Sequence, residues 1–272
     1  MKTTKENSYL IQDMDLILFY YLSDRILIRF LMKERRVRKI VIVGATSGIG
    51  RSLALGYLSR GEIVGVTGRR TESLEEIKAL YPGSAFYRTM DVQDDGCLDA
   101  MGELIGEMGG MDVMVYCAGA GTQNPALDME VEMNAVRTNV DGFMRAVIYS
   151  FNYFKERRSG QIVDISSLSA VRPVRHSPAY GSTKRYQAHY MSCLAWKSNH
   201  DRLGIKMTTI FPGWIKTDML KYDYPIVISL EKGTRIIMRA IDRKRRKAMV
   251  PWWWSIAAGA WKLIPNFIYE RL

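Results

Sequence analysis

The residues of this 272-residue chain best suited to chemistry are a tyrosine, a lysine and a serine set close together. Tyr180-Gly181-Ser182-Thr183-Lys184 puts a phenol and an ammonium at i and i+4, on one face of a helix if one opens there. A free tyrosine has a pKa of about 10 and is a poor acid–base group at neutral pH. A neighbouring ammonium stabilises the phenolate and lowers that value. Thirteen residues before Tyr180, Val163-Asp164-Ile165-Ser166-Ser167 ends a strand-like run in two hydroxyls. A serine there can hold a carbonyl or alcohol oxygen beside the phenol. Together these groups make a proton-transfer device for carbinol–carbonyl interconversion, with a nicotinamide giving or taking hydride. Tyr-x-x-x-Lys alone also describes an exposed helical pair, so its weight comes from the serine and from the loop described next.

That loop is Gly44-Ala45-Thr46-Ser47-Gly48-Ile49-Gly50, directly after an apolar run. Gly44 permits a tight turn off a strand, Gly48 lets backbone approach a pyrophosphate, and Gly50 lets the next helix pack close to a sheet. The helix N-terminus supplies N–H groups and a positive dipole end for phosphates. The second apolar run ends in Thr67-Gly68-Arg69-Arg70, with no acid before Glu72. An acid near this point hydrogen-bonds the ribose of NAD, whereas arginine accommodates the 2′-phosphate of NADP. Arg69 and Arg70, with planar guanidinium groups suited to phosphate, therefore predict NADP(H). The third run ends in Met90-Asp91-Val92, where Asp91 either meets the adenine amine or caps the next helix. His176, His189 and His200 show no ligand spacing, no metal site is expected, and Glu130 and Glu132 read as part of a solvated helix.

These groups need a frame, and the chain supplies one. Strand-length apolar runs fall at Lys39–Val43, Ile63–Thr67, Ala85–Met90, Asp112–Cys117, Gln161–Ile165, Lys206–Phe211 and Ala248–Val250. Helix-compatible segments such as Ile49–Arg60, Ser73–Tyr81 and Cys97–Met108 lie between them. Strands alternating with helices predict βαβ units, hence an α/β fold of Rossmann type, a doubly wound parallel sheet of about seven strands with helices on both faces. Continuous apolar runs suit strands covered on both sides. The expected organisation is an N-terminal extension over 1–37, amphipathic or loosely held, an NADP-binding oxidoreductase domain over 38–250, and an aromatic, apolar tail over 251–272. Met32 is a natural start for the domain, so residues 1–31 read either as a dispensable extension or as a start-site artefact.

Composition excludes several function classes. The chain is 47% hydrophobic and 25% charged, which rules out a wholly disordered protein. Cys97, Cys117 and Cys193 show no C-x-x-C spacing, against a disulfide framework or cysteine zinc site and for a reducing, cytoplasmic setting. The net charge of +11 sits at the ends: residues 1–39 carry 9 basic and 5 acidic side chains, residues 231–272 carry 10 and 3, and the body carries 20 of each. A neutral body argues against a nucleic-acid partner. Leu16–Ser23, bracketed by Asp13, Asp15, Asp24 and Arg25, is too short to span a membrane. The tail sets Trp252, Trp253, Trp254 and Trp261 beside the basic run Arg243–Lys247. It is open between peripheral contact with a membrane surface and packing on its own domain or a second subunit.

The motifs together resemble the short-chain dehydrogenase/reductase family, in its compact single-domain branch, over roughly residues 38–250. Gly44–Gly50 matches that family's TGxxxGIG, with Val43 in place of the threonine. Tyr116-Cys117-Ala118-Gly119 matches its NNAG with both asparagines replaced, which puts the usual bracing of the central strands in doubt. The resemblance implies a tetrad of Asn139, Ser167, Tyr180 and Lys184, in which Asn139 supports a proton relay through water and Lys184 also binds the nicotinamide ribose. It further implies that Pro212, Gly213, Ile215 and Thr217 contact the nicotinamide end. Its cofactor-binding set is Gly44, Thr46, Ser47, Gly48, Ile49, Gly50, Arg69, Arg70, Asp91, Val92, Cys117, Ala118, Gly119, Asn139, Tyr180, Lys184 and those last four. The expected activity is NADP(H)-dependent interconversion of a carbonyl and a secondary alcohol on a hydrophobic small molecule, by a homo-oligomer. The loop Asp218–Pro225, rich in apolar and aromatic groups, carries the hydrophobic expectation. The rival expectation is a non-catalytic nucleotide-binding regulator or membrane-surface interaction protein on the same fold.

Overall fold

The seven apolar runs fold as β1 (Lys39–Val43), β2 (Ile63–Gly68), β3 (Ala85–Thr89), β4 (Val113–Tyr116), β5 (Gly160–Ile165), β6 (Ile205–Pro212) and β7 (Lys247–Val250). In the computed structural model they form one parallel sheet in the order β3-β2-β1-β4-β5-β6-β7. The structure describes residues 36–218, 220, 226–269 and 271. The extension through residue 35 and most of the loop 218–225 lie outside the described residues, and with them the amphipathic reading of the first and the substrate reading of the second. Residues Arg38–Leu272 form one compact unit.

Alternation along each strand feeds two cores. In β1, Ile40 and Ile42 face one side and Val41 and Val43 the other, all fully buried. The first side is covered by α1 (Gly48–Leu58), α2 (Thr71–Leu80) and α7 (Leu230–Asp242), through Leu53, Leu74, Ile77 and Ile237. The second is covered by α3 (Cys97–Glu107), α5 (Phe143–Arg157) and α6 (Pro178–His200), through Leu104, Phe143, Phe154 and Met191. Each such side chain contributes roughly 1.5–3 kcal/mol on leaving water. Strands covered on both faces cannot alternate with polar residues, which is why their sequences read as continuous apolar runs.

Between β4 and α5 lie α4 (Met129–Val136) and a π-helical turn, Arg137–Gly142. A 3₁₀ turn, Leu168–Ala170, follows β5, and the chain ends in α8 (Trp254–Leu263) and α9 (Asn266–Tyr269). The tail is seated on the body: Trp254 and Ala258 are buried against Leu168 and Val171. The basic run Arg243–Lys247 sits at the amino end of β7 and the tail at its carboxyl end, so neighbours in sequence are separated by the strand. Among the described residues no helix is long and apolar enough to cross a membrane.

Candidate active site

Strand order reverses between β1 and β4, and in open parallel sheets ligands bind at the carboxyl edge of such a switch point. Here that edge opens into a cavity of about 770 Å³. The phosphate loop forms one wall. Gly44 has φ +88°, and a Cβ on it would lie 2.4 Å from the Ala118 amide nitrogen, so no larger residue fits the turn. α1 opens at Gly48 with no side-chain cap from Ser47 and no acid in its first turn. Its first N–H groups and positive end are left for an anion. Arg70 closes onto the loop, its Nη2 donating to Thr46 Oγ1 and Ser47 Oγ at 2.7 Å each. Arg69 is largely exposed and stands 3.6 Å from the Asp91 carboxylate. Asp91 also accepts from the Gln93 amide at 3.0 Å, a local turn and not the cap of α3, which begins at Cys97.

The helix expected at Tyr180 is α6. Pro178 occupies its first turn, and the Glu132 carboxylate accepts from the Ala179 amide at 2.9 Å while its other oxygen takes Asn124 Nδ2 at 2.9 Å. Glu132 is therefore a fixed cap on the helix that carries Tyr180, which corrects its reading as a solvated acid. Glu130, by contrast, is exposed and pairs with Arg137. Lys184 lies one turn after Tyr180, almost fully buried, its Nζ donating to the Ile165 carbonyl at 2.9 Å and standing 5.9 Å from the Tyr180 ring centre. Ser166 Oγ donates to the Lys184 carbonyl at 2.9 Å, tying α6 to the end of β5. Ser167 Oγ accepts from the Ser169 amide at 3.1 Å, and this hydroxyl begins the 3₁₀ turn.

Asn139 is in the π-helical turn and is fully buried. Its Oδ1 accepts from the Ala120 amide at 2.9 Å and its Nδ2 donates to the Ala120 carbonyl at 2.7 Å and to Thr183 Oγ1 at 3.0 Å. Thr183 Oγ1 in turn donates to the Tyr180 carbonyl at 3.0 Å. Every other residue of the expected site lines the cavity; Asn139 does not. It stands behind the wall, bonded to both Ala120 backbone groups and to Thr183 near the start of α6. π-helical turns of this kind are often found at functional sites.

The sequence left the bracing of the central strands in doubt, and the structure supplies a different brace. Tyr116, where the family has asparagine, is fully buried, and its hydroxyl donates to the Thr138 carbonyl in the π turn at 2.6 Å. Opposite Tyr116 in the sheet register is Asp164. It too is fully buried, and neither of its oxygens has a hydrogen-bond partner among the described residues. Burial pushes its carboxyl up to about 7, against the pull of the Lys184 ammonium. Desolvation likewise pushes the Cys117 thiol up to about 12, so it stays neutral at ordinary pH.

Several wall residues escaped sequence reasoning. The Tyr180 ring lies flush on Gly121, where a Cβ would meet Tyr180 Cδ2 at 2.1 Å. Arg172, His176, Trp214, Trp261 and Tyr269 also line the cavity. Only the aromatic character of the tail hinted at the last two.

A seven-stranded parallel sheet with a phosphate-type loop at its switch point defines a Rossmann-type nucleotide fold. Residues 38–225 match the short chain dehydrogenase family, and the chain belongs to the short-chain dehydrogenase/reductases. It is an oxidoreductase of that family. An uncharacterized oxidoreductase of Myxococcus xanthus is 27% identical over 248 residues, covering 88% of this chain and 97% of that one. An uncharacterized oxidoreductase of Staphylococcus haemolyticus is 30% identical over 192 residues, 69% and 82% of the two chains. The fold is also that of a short-chain dehydrogenase from Sphingobium yanoikuyae solved in complex with NADPH, with TM-score 0.73, 19% identity and coverage of 85% and 97%.

Proposed function

We propose that the protein is an NADP(H)-dependent oxidoreductase that interconverts a carbonyl and a secondary alcohol on a hydrophobic small molecule. The observation that carries the reading is that Ser167, Tyr180 and Lys184 share one cavity with the phosphate loop and Arg69–Arg70. A bound nicotinamide supplies or accepts hydride. Tyr180 is the general acid or base at the reacting oxygen. Ser167 holds that oxygen, and its hydroxyl is fixed by the Ser169 amide. Lys184, held at the Ile165 carbonyl, stabilises the phenolate as the proton leaves. Asn139 keeps the Ala120 backbone and α6 in register.

NADP(H) over NAD(H) is supported by two arginines and no acid at the end of β2. Arg70 is already turned to the loop that would receive the phosphates, and Arg69 is exposed beside it. Loss of NADPH absorbance with a panel of ketones and aldehydes tests the reading. Reduction of at least one apolar carbonyl is expected. Tight NADPH binding with no turnover across the panel would instead favour the non-catalytic regulator.

A second reading is favoured by the outer face of the tail, where Trp252, Ile256, Leu263 and Phe267 are between 64% and 84% exposed. This face supports peripheral contact with a membrane surface. Because β7 separates the cations at 243–247 from it, the attachment is expected to rest mainly on apolar burial, with weak dependence on salt. Co-sedimentation with neutral and anionic liposomes checks this; protein that stays in the supernatant with both ends the membrane reading.

A further inference from the structure

The inner face of the same tail does something else. Trp254 anchors it: the indole packs edge-on against Trp214 at 5.0 Å between ring centres and stands 6.0 Å from Trp261. The contact with the body is close, since a Cβ on Gly213 would come within 2.2 Å of Trp254 Nε1. Further along, three contacts tie the last turn to the segment just after Ser167. Arg172 Nη2 donates to the Ile264 carbonyl, the Arg172 guanidinium lies 4.4 Å from the centre of the Tyr269 ring, and Tyr269 Oη donates to the Pro173 carbonyl at 3.0 Å. The segment so fastened brings Trp261 and Tyr269 onto the wall of the cavity that also holds Ser167 and Tyr180.

We propose that the C-terminal helices are the substrate wall of this enzyme: Trp261 and Tyr269 recognise an apolar, ring-bearing carbonyl compound, and Arg172 is the latch that holds the wall in place. The wall that does this work is aromatic. Trp261 and Tyr269 line it, Trp214 and Leu168 extend the same surface, and the Arg172 charge is engaged by a carbonyl and a ring. Flat aromatic faces recognise flat or cyclic apolar groups through offset and edge contacts. Arg172 sits five residues after Ser167 on the connection that carries the oxygen-holding hydroxyl, so the latch couples wall position to the reacting end of the cavity. The inference rests on the oxidoreductase reading for the identity of the ligand, while the contacts stand independently of turnover.

The test uses the full chain loaded with NADP⁺ and 2-acetylnaphthalene, a bicyclic aryl ketone, with binding followed by calorimetry. The unmodified protein is expected to bind it. Trp261→Ala and Arg172→Ala are expected to weaken it at least tenfold, with NADP⁺ affinity changed less than twofold. Tyr269→Phe, which keeps the ring and loses only the hydroxyl contact to Pro173, is expected to weaken it a few-fold and guards against a folding defect in the larger truncations. No binding by the unmodified chain, or binding within twofold in both Trp261→Ala and Arg172→Ala, would overturn the proposal. Ketone bound in the predicted pattern but never reduced when NADPH replaces NADP⁺ would count against the oxidoreductase reading alone.

Discussion

Gly121→Ala isolates the placement of the catalytic phenol. A Cβ at residue 121 would lie 2.1 Å from Tyr180 Cδ2, 2.7 Å from Cγ and 3.0 Å from Cβ. Carbon atoms rest at roughly 3.5–4.0 Å, so the gap has to open by more than about an ångström. Neither side yields readily. The loop is pinned one residue earlier, where both Ala120 backbone groups are bonded to Asn139. The helix start is pinned by Glu132 at Ala179 and by Asn139 through Thr183. The atoms in conflict are the root of the ring, not its flexible end, so the phenol itself is displaced. A misplacement of about 1 Å at a reacting group costs on the order of 100-fold in rate, or ~2.7 kcal/mol. The assay is steady-state NADPH oxidation with a saturating apolar ketone, beside NADPH titration and thermal denaturation. We expect kcat to fall about 100-fold with cofactor affinity nearly unchanged, because the three atoms nearest the added methyl all belong to Tyr180 and not to the phosphate loop or arginines. Gly83→Ala, with nothing near the added methyl, is the control and should be silent. A Gly121→Ala protein that folds, binds NADPH and keeps kcat within threefold would refute this account of how the phenol is held.

Tyr180→Phe removes only the proton donor and is expected to abolish turnover while NADPH titrates as before; near-normal turnover would reassign the acid. Lys184→Ala should damage both turnover and cofactor affinity, since that ammonium serves both. Arg69→Ala and Arg70→Ala should each narrow the preference for NADPH over NADH at least tenfold, because a charged phosphate contact contributes roughly 1.5–3 kcal/mol; equal affinities in the unmodified protein would remove the premise. Asp164 has a folded-state pKa raised to about 7, against about 3.9 in an unfolded chain. The native state thus holds its proton longer, and stability from this group falls as pH rises from about 4 to about 7. Asp164→Asn cannot ionise, so its advantage over the unmodified protein should grow between pH 5 and pH 8, towards a ceiling on the order of 4 kcal/mol. Denaturant unfolding at the two pH values measures it, and parallel pH slopes for the two proteins would contradict it.

The parts of the molecule that the sequence makes plain are those whose signal is local. β1 and β2 are short, mainly apolar runs, the first followed by and the second ending in glycine, and the phosphate loop is written in consecutive residues. The Tyr180–Lys184 spacing predicts its own helix face, and α6 opens two residues before Tyr180. What the sequence hides depends on distant partners. The π turn at 137–142, Arg-Thr-Asn-Val-Asp-Gly, holds one apolar side chain and so has no periodicity to mark it, and it packs where a Cβ on Gly142 would meet Val92 Cγ2 at 2.6 Å. Glu132 reads as a surface acid because the amide it caps is 47 residues away. The tail misleads for a different reason. Tryptophans beside cations suggest one interfacial patch, but four residues of β7 carry the chain from one edge of the sheet to the other between them. Indoles suit a lipid surface and a protein cavity equally, and here Trp252 faces outward while Trp254 is buried.

On the proposed reading, Tyr180 and its neighbours pass a proton to an oxygen whose carbon receives hydride. This is tested most directly by mixing the protein with NADPH carrying deuterium at both C4 positions and an apolar ketone and weighing the product. One deuterium on the carbinol carbon of the alcohol is expected with the unmodified protein, and no labelled alcohol with Tyr180→Phe. NADPH consumed without label in the product, or label transferred at the same rate by Tyr180→Phe, would contradict it.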